Sequence, residues 1–136
     1  NIAKPFVEFW GPINPEQILA SKPEVILISG TEAGKNPNAM RIGQGVERQQ
    51  SAQLLQGYAK RPGWDSLPAV KNKRLYAVYQ GASRTQADFT TVQYLAKVFY
   101  PTLFADLKPE QNYINFYKKY LPVVPKGTFM TDLSGS

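Results

Sequence analysis

The stretch that decides the fold is NPEQILASKPEVILI, residues 14–28. Asn14 can cap a helix through its side-chain oxygen, and Gln17 stands three residues later, where the reciprocal capping bond forms. Pro23 then stops this helix after a turn or two. The continuous β-branched run at 25–28 is typical of a strand covered on both faces, as in a parallel sheet. A short helix followed by such a strand indicates an α/β domain.

The same alternation continues downstream. Helical patterns occupy residues 46–60, 89–100 and 109–120, and a second strand is predicted at 75–79. The weaker signals predict a β-prone run at 7–10, a loop without regular structure at 31–45 and a short turn or helix at 64–70. Pro122 and Pro125 are expected to close the regular structure. We therefore predict one α/β domain over residues 1–136, a three-layer sandwich with a mostly parallel central sheet flanked by helices.

Two of the predicted helices carry apolar stripes. The first has the spacing of an amphipathic helix and consists of Phe89, Val92, Ala96 and Phe99. The second follows one helix face and is aromatic throughout: Tyr113, Phe116, Tyr117 and Tyr120. We expect this aromatic stripe to lie in the core.

The residue composition removes several classes of function. The chain has 136 residues with no Cys and no His. It therefore holds neither a disulfide nor a thiolate metal site, and it lacks the imidazole of a Ser-His-Asp triad, a zinc site or a His-ligated haem. The net charge of +6 is scattered along the chain rather than gathered in a basic arm. This distribution favours an anionic small ligand over nucleic acid.

Three segments together resemble a known family. Residues 14–28 resemble the segment E-x-I-L-A-x-x-P-D-V-I of the class III periplasmic binding proteins, which serve siderophores, haem and vitamin B12. Residues 63–78, GWDSLPAVKNKRLYAV, resemble the family's W-x-x-L-P-A-V-K-N-G-R-V-Y, and residues 100–107, YPTLFADL, resemble its Y-P-E-L-F piece. Two departures are small: Lys73 replaces the usual turn glycine, and Glu24 stands where Asp is common.

The resemblance implies the C-terminal lobe of a two-lobed protein, with the N-terminal lobe and the linking helix absent. Such a protein binds its ligand between the lobes and delivers it to the permease of an ABC importer. The implied ligand is an iron-siderophore or a related metal chelate, with haem or cobalamin as the alternative. The protein would be a binder and not an enzyme, located in the periplasm or anchored outside the cytoplasm as a lipoprotein. No catalytic residue, no cofactor and no metal ligand from the protein is expected.

Glu16 is the residue that the resemblance assigns to the permease. Each lobe of this family presents an acidic residue near the start of such a helix, and the pair docks onto permease arginines. A carboxylate exposed at this position can pair bidentately with Arg. Alternatively, Glu16 only complements the dipole of its own helix.

The ligand is expected outside the carboxyl ends of the strands, where α/β sheets bind their ligands. Two loops qualify there, residues 29–45 and 80–88. Arg84 in the second loop suits the oxygens of an anionic chelate, because guanidinium groups pair with carboxylate or catecholate. Arg41 and Thr31 in the first loop are further candidates.

Two aromatic residues are candidates for packing on the apolar or planar parts of a ligand. Tyr79 ends the second predicted strand. Trp64 follows Gly63 and can equally anchor its turn in the core.

Two functions of other classes stay open at this point. A small α/β enzyme would need an acid–base pair such as Asp65 with Lys71 or Glu32 with Asp88, although neither spacing supports one. The Gly43-Gln44-Gly45 run lacks the third glycine and the preceding strand of a dinucleotide site. A polyanion binder would show steep salt dependence.

Overall fold

The computed structural model describes residues 1–5 and 11–136, so the β-prone run predicted at 7–10 lies outside the described residues. Within these described ranges five helices are present: α1 (Pro15–Ser21), α2 (Arg48–Ala59), α3 (Pro68–Lys71), α4 (Asp88–Phe99) and α5 (Pro109–Tyr120). Five strands accompany them: β1 (Ile26–Gly30), β2 (Gly43–Gln44), β3 (Leu75–Tyr79), β4 (Gly127–Thr128) and β5 (Met130–Asp132). Short 3-10 turns cover Trp64–Ser66 and Gln80–Arg84. Over the described ranges no helix is long and apolar enough to cross a membrane.

The predicted α/β class is confirmed by a mixed sheet in the order β1-β3-β5. Strands β1 and β3 are parallel, with Ile26 opposite Leu75 and Gly30 opposite Tyr79. Strand β5 runs antiparallel to β3 on its other side. The expectation that Pro122 and Pro125 close the regular structure is wrong, because both β4 and β5 follow them.

The sheet separates two helical layers, as the alternation of side chains along β3 requires. Leu75 and Ala77 face a core that α2 fills with Leu55 and that the α1 residues Ile18 and Leu19 partly cover. On the opposite face Tyr76 meets Tyr94 of α4 edge to face, with ring centroids 6.2 Å apart. Helices α4 and α5 pack against each other on that side. The result is the three-layer α/β/α arrangement.

Strand β1 lies at an edge of the three-stranded sheet within the described part of the chain. Its side chains are only half-buried, and Ser29 is exposed. The run at 25–28 therefore predicts the strand and its parallel pairing correctly, but not the degree of burial. An apolar run reports the chemistry of the side chains and not the number of neighbours that cover them.

Side-chain capping fixes the start of α1, and a left-handed backbone conformation follows the end of α3. Asn14 Oδ1 accepts a hydrogen bond from the Glu16 amide at 2.9 Å, and Gln17 Oε1 accepts one from the Asn14 amide at 3.3 Å. The predicted capping box is thus present. Lys73 adopts a left-handed φ of 56°, which explains why the family has glycine at this position.

The apolar stripes of α4 and α5 are not both buried. Phe89, Val92 and Phe99 of α4 are all exposed. On α5, Tyr113 is buried, Phe116 and Tyr117 are half-buried, and Tyr120 is 62% exposed. The prediction that the whole aromatic stripe lies in the core is therefore wrong for Tyr120, because α5 carries this residue in its last turn, beyond the buried layer.

Candidate functional site

The carboxyl ends of β1 and β3 meet at one edge of the sheet, because the two strands are parallel and Gly30 pairs with Tyr79. The segments 31–45 and 80–87 both leave from this edge. We call it the carboxyl edge. Ligands of open α/β sheets bind in the crevice outside such an edge.

The segment 31–45 is an ordered part of this edge. The prediction of a loop without regular structure is wrong, because Thr31 forms a β-bridge with Arg41 and β2 pairs with β4. Thr31 Oγ1 donates a hydrogen bond to the Ala33 carbonyl at 2.6 Å, and the Arg41 guanidinium donates one to the Gly34 carbonyl at 2.6 Å. Both predicted ligand residues therefore lie at the carboxyl edge, where their polar groups shape the loop.

A clasp made by β2 and β4 fastens the loop to the C-terminal segment. The Lys126 amide donates to Gln44 Oε1 at 3.0 Å, and the Gly45 amide donates to the Lys126 carbonyl at 2.7 Å. Gly127 has a φ of +153° and lies so close to Gly43 that a Cβ would collide with the Gly43 carbonyl oxygen. Only glycine fits at position 127 without strain.

Tyr79 stands at the centre of the carboxyl edge and is half-buried. Its ring lies against Gly43 and Gly81: a Cβ at Gly43 would come within 2.8 Å of Tyr79 Cε2 and 3.0 Å of Glu32 Oε2. Burial raises the pKa of the Tyr79 phenol, and the negative charge of the adjacent Glu32 raises it further. At neutral pH the phenol therefore stays protonated, and the Glu32 carboxylate is the acceptor beside it.

Tyr79 also begins a chain of aromatic side chains that runs from the strand end along α5. Its ring centroid lies 5.7 Å from that of Phe129, and Phe129 lies 4.6 Å from Tyr113. The chain continues from Tyr113 to Tyr117 at 4.9 Å, then to Phe116 at 5.9 Å, and ends at Tyr120 and Phe89, 5.1 and 5.8 Å from Phe116. We call these seven side chains the aromatic chain. It links the carboxyl edge to α5 through the core, because each ring packs on the next and Phe129 and Tyr113 are buried.

Arg84 closes the 3-10 turn that follows β3, and it is exposed. The neighbouring hydroxyls are bound to the loop itself, since Ser83 Oγ donates to the Gln80 carbonyl at 2.7 Å and Thr85 Oγ1 donates to the Ala82 carbonyl at 3.0 Å. These bonds hold the turn, and they leave the guanidinium among the polar groups that this segment exposes to solvent.

Trp64 is not at the carboxyl edge. It precedes α3, whose Ala69 amide donates to the Pro23 carbonyl just before β1 begins, so this region lies by the amino ends of the strands. The indole is only 6% exposed and lies in the core next to Tyr58, with ring centroids 6.3 Å apart. The geometry gives Trp64 the role of a core anchor, as the alternative interpretation of the sequence proposed.

Glu16 is exposed in the first turn of α1. The capping of this turn uses the Asn14 and Gln17 side chains and the Glu16 amide, so the Glu16 carboxylate takes no part in it. An exposed carboxylate on a fixed helix start can meet a cationic partner.

Several residues that shape the site were missed by the sequence analysis. The sequence suggests Glu32 only as one member of an acid–base pair, yet its carboxylate lies beside Tyr79. The local sequence does not indicate a role for Gly43 or Gly81. Both lie against the Tyr79 ring, which has room there because neither residue has a side chain. Glu110 accepts hydrogen bonds from the Phe129 and Met130 amides at 2.7 and 3.3 Å, and nothing in the local sequence indicates that contact.

In residues 1–5 and 11–136 there is no group of three or more Asp or Glu side chains that could hold a metal ion.

A cavity of about 500 Å³ lies away from the carboxyl edge, between α4, α5 and β5, where Val98, Ile114 and Met130 line it.

The sequence profile of a family described as periplasmic binding protein matches residues 3–80. The chain belongs to this family. Its fold also matches the crystal structure of a TroA-like periplasmic binding protein, FepB from Veillonella parvula, with a TM-score of 0.92 and 37% sequence identity. The match covers 97% of this chain but only 38% of that periplasmic binding protein, so the chain spans well under half the length of its relative. No curated protein matches the chain.

Proposed function

We propose that this chain is the C-terminal lobe of the substrate-binding protein of an ABC importer. Its carboxyl edge contributes half of a ligand site, and a second lobe supplies the other half. The observation that carries this proposal is the ordered carboxyl edge, where the clasped segment 31–45, Tyr79 and Arg84 converge. Family membership and the 38% coverage of FepB support the two-lobed arrangement.

The ligand we propose is a ferric siderophore or a related metal chelate. A net charge of +6 and an exposed Arg84 suit an anionic, oxygen-rich ligand. The Tyr79 phenol beside Glu32 adds a polar aromatic surface, while the chelating groups of the ligand itself occupy the coordination positions of the iron. The protein's task is capture and delivery rather than chemistry, with no catalytic residue and no resident cofactor.

Haem and cobalamin are the alternative ligands. The chain contains no His, so an axial imidazole from this lobe is impossible, and haem would have to bind through its face and propionates. Cobalamin would rely on polar contacts around its amides.

The partners we propose are the permease, through Glu16, and the N-terminal lobe of the same protein. The setting is the periplasm or the outer face of a membrane to which the protein is anchored as a lipoprotein. The geometry supports Glu16 because its carboxylate is exposed on a helix whose start is fixed by the capping box.

The test is a titration of the full-length protein with ferric siderophores, haem and cobalamin, followed by tryptophan fluorescence and calorimetry. We expect a dissociation constant below about 1 μM for at least one ferric chelate. If none of these compounds binds below about 10 μM, the proposed ligand class is wrong.

A further inference from the structure

The cavity between α4, α5 and β5 has the size and the lining of a small-molecule site. Its volume of about 500 Å³ lies within the range of roughly 300–1,000 Å³ that such sites occupy. Val98 and Met130 line it and are each only 3% exposed, and the aliphatic side chains of Leu107 and Ile114 line it as well. Because protein interiors are close-packed, an apolar recess of this size indicates room for a ligand.

Two lysines stand on one side of this cavity, where the segment 100–108 connects α4 to α5. Lys97 Nζ donates hydrogen bonds to the Ala105 carbonyl at 3.1 Å and to the Leu107 carbonyl at 2.7 Å. Lys108 directly follows Leu107 and lines the same cavity. An ammonium group has three protons, so Lys97 keeps one hydrogen-bond donor after these two bonds.

The carboxylates that line the cavity do not neutralise these lysines. Glu110 is paired with Arg48, and Asp132 Oδ1 accepts hydrogen bonds from the Ser134 and Ser136 amides at 2.8 and 3.1 Å. Within residues 1–5 and 11–136 neither lysine forms an ion pair. A half-buried ammonium without a counter-charge, next to an apolar surface, favours an anion at that place.

We propose that this cavity binds an aliphatic carboxylate of medium chain length, such as a fatty acid. The carboxylate accepts the remaining proton of Lys97 and lies near Lys108, and the chain packs on Val98, Ile114 and Met130. The flexible thioether of a methionine suits a chain that bends, because it adapts to irregular shapes. The inference does not depend on the proposed function, because the cavity lies away from the carboxyl edge and shares no residue with it.

The experiment is a calorimetric titration of the full-length protein with decanoate, and with decylamine as a cationic probe of equal chain length. We expect a dissociation constant below about 1 mM for decanoate and at least about tenfold weaker binding of decylamine, because the lysines repel an ammonium group. Decanoate is also expected to raise the melting temperature, since it binds the folded state only.

A variant that fills the cavity tests the location. We expect Ile114→Phe to weaken decanoate binding about tenfold or more, because the larger ring occupies the space of the chain. Ile114→Leu has the same volume and is the matched control. Equal affinities of the two variants for decanoate would place its binding elsewhere and overturn the inference.

A second pair of variants tests the charge. We expect Lys97→Gln to weaken decanoate binding about tenfold, while Lys60→Gln, which removes an exposed charge at the end of α2, leaves it unchanged. If Lys97→Gln lowers the melting temperature through its lost bonds to the carbonyls, Lys108→Gln replaces it, because Lys108 is exposed. We expect that variant to weaken binding about threefold.

Three results overturn the inference. The first is equal binding of decanoate and decylamine, which would mean that only the chain is recognised. The second is unchanged decanoate affinity in both charge variants, Lys97→Gln and Lys108→Gln. The third is no binding of decanoate to the full-length protein, which includes the case that another part of the chain fills the cavity.

Discussion

Arg48 and Glu110 form an ion pair that joins the start of α2 to the first turn of α5. The same two side chains hold β5: Glu110 accepts from the Phe129 and Met130 amides, and Arg48 donates to the Met130 carbonyl at 3.0 Å. The pair therefore connects both helical layers to the strand that follows the two prolines. It fixes Phe129, on which the aromatic chain depends.

We expect Glu110→Gln to lower the free energy of unfolding by about 1–3 kcal/mol, because charge-assisted hydrogen bonds are lost and Arg48 loses its counter-charge. Denaturant unfolding measures the change. Glu47→Gln is the control, since Glu47 is exposed and its side chain does not cap α2. Equal stability of the two variants would contradict the role of the pair.

We expect the clasp of β2 and β4 to keep the segment 31–45 ordered. Gly127→Ala forces a Cβ against the Gly43 carbonyl at a positive φ, so we expect a loss of at least about 1 kcal/mol of stability and weaker ligand binding. Gly34→Ala in the segment 31–45 has open space around its Cβ and serves as the control. Thermal unfolding and ligand titration test both. Wild-type behaviour of Gly127→Ala would mean that the clasp is not needed.

We expect the free energy of unfolding to fall at alkaline pH, because Tyr94 has a raised pKa in the folded protein. Burial raises the pKa of Tyr94, the Asp132 charge raises it further, and the Tyr94 hydroxyl donates to the Thr131 carbonyl at 2.9 Å. Above the unfolded pKa of about 10 the unfolded chain has lost this proton while the folded chain keeps it, so stability falls as pH rises.

The measurement is the free energy of unfolding between pH 9 and 11. We expect Tyr94→Phe to reduce the slope by up to about 1.4 kcal/mol per pH unit relative to wild type. Tyr100→Phe, which removes an exposed phenol, is the control. Identical slopes for Tyr94→Phe and wild type would refute the assignment.

Arg84 is the test of charge recognition at the carboxyl edge. We expect Arg84→Gln to weaken binding of an anionic ferric chelate about tenfold or more, because a hydrogen-bonded charge contributes about 1.5–3 kcal/mol. Lys60→Gln removes the same charge from an exposed position at the end of α2. Equal affinities of the two variants in calorimetry would remove Arg84 from the site.

Glu16 separates capture from delivery. We expect Glu16→Ala to leave the ligand dissociation constant unchanged and to slow uptake through the permease, because the carboxylate is exposed and takes no part in the capping box. Transport into proteoliposomes measures the effect, with Glu24→Ala as a control at another exposed carboxylate. Normal uptake by Glu16→Ala would exclude the docking role.

Local chemistry explains how much of the fold the sequence predicts. The capping box at Asn14, the strand at 75–79 and the end of α5 at Tyr120 follow from signals carried by neighbouring residues. Strands β4 and β5 have two and three residues, too short for a period to appear, and their partners lie far away in the chain. The exposure of Tyr120 and the burial of Trp64 depend on which layer covers each ring, which local spacing does not encode.

Some features of the candidate site could also be predicted from the sequence, and others could not. The carboxyl edge, Tyr79 and Arg84 could be placed from the strand order alone, because parallel strands bring their ends together. The sequence could not predict that Glu32 lies beside the Tyr79 ring, or that the ring packs against Gly43 and Gly81. These contacts depend on the path of the segment 31–45.

The clasp between β2 and β4 has a consequence for the order in which the protein folds. Thr128 Oγ1 donates to the Val46 carbonyl, a contact between residues 82 positions apart in the chain. Closing so long a loop is slow compared with forming helices, so the segment 31–45 is expected to take its final shape late. A chain that emerges gradually from its N-terminus would acquire the ordered carboxyl edge only after β4 had emerged.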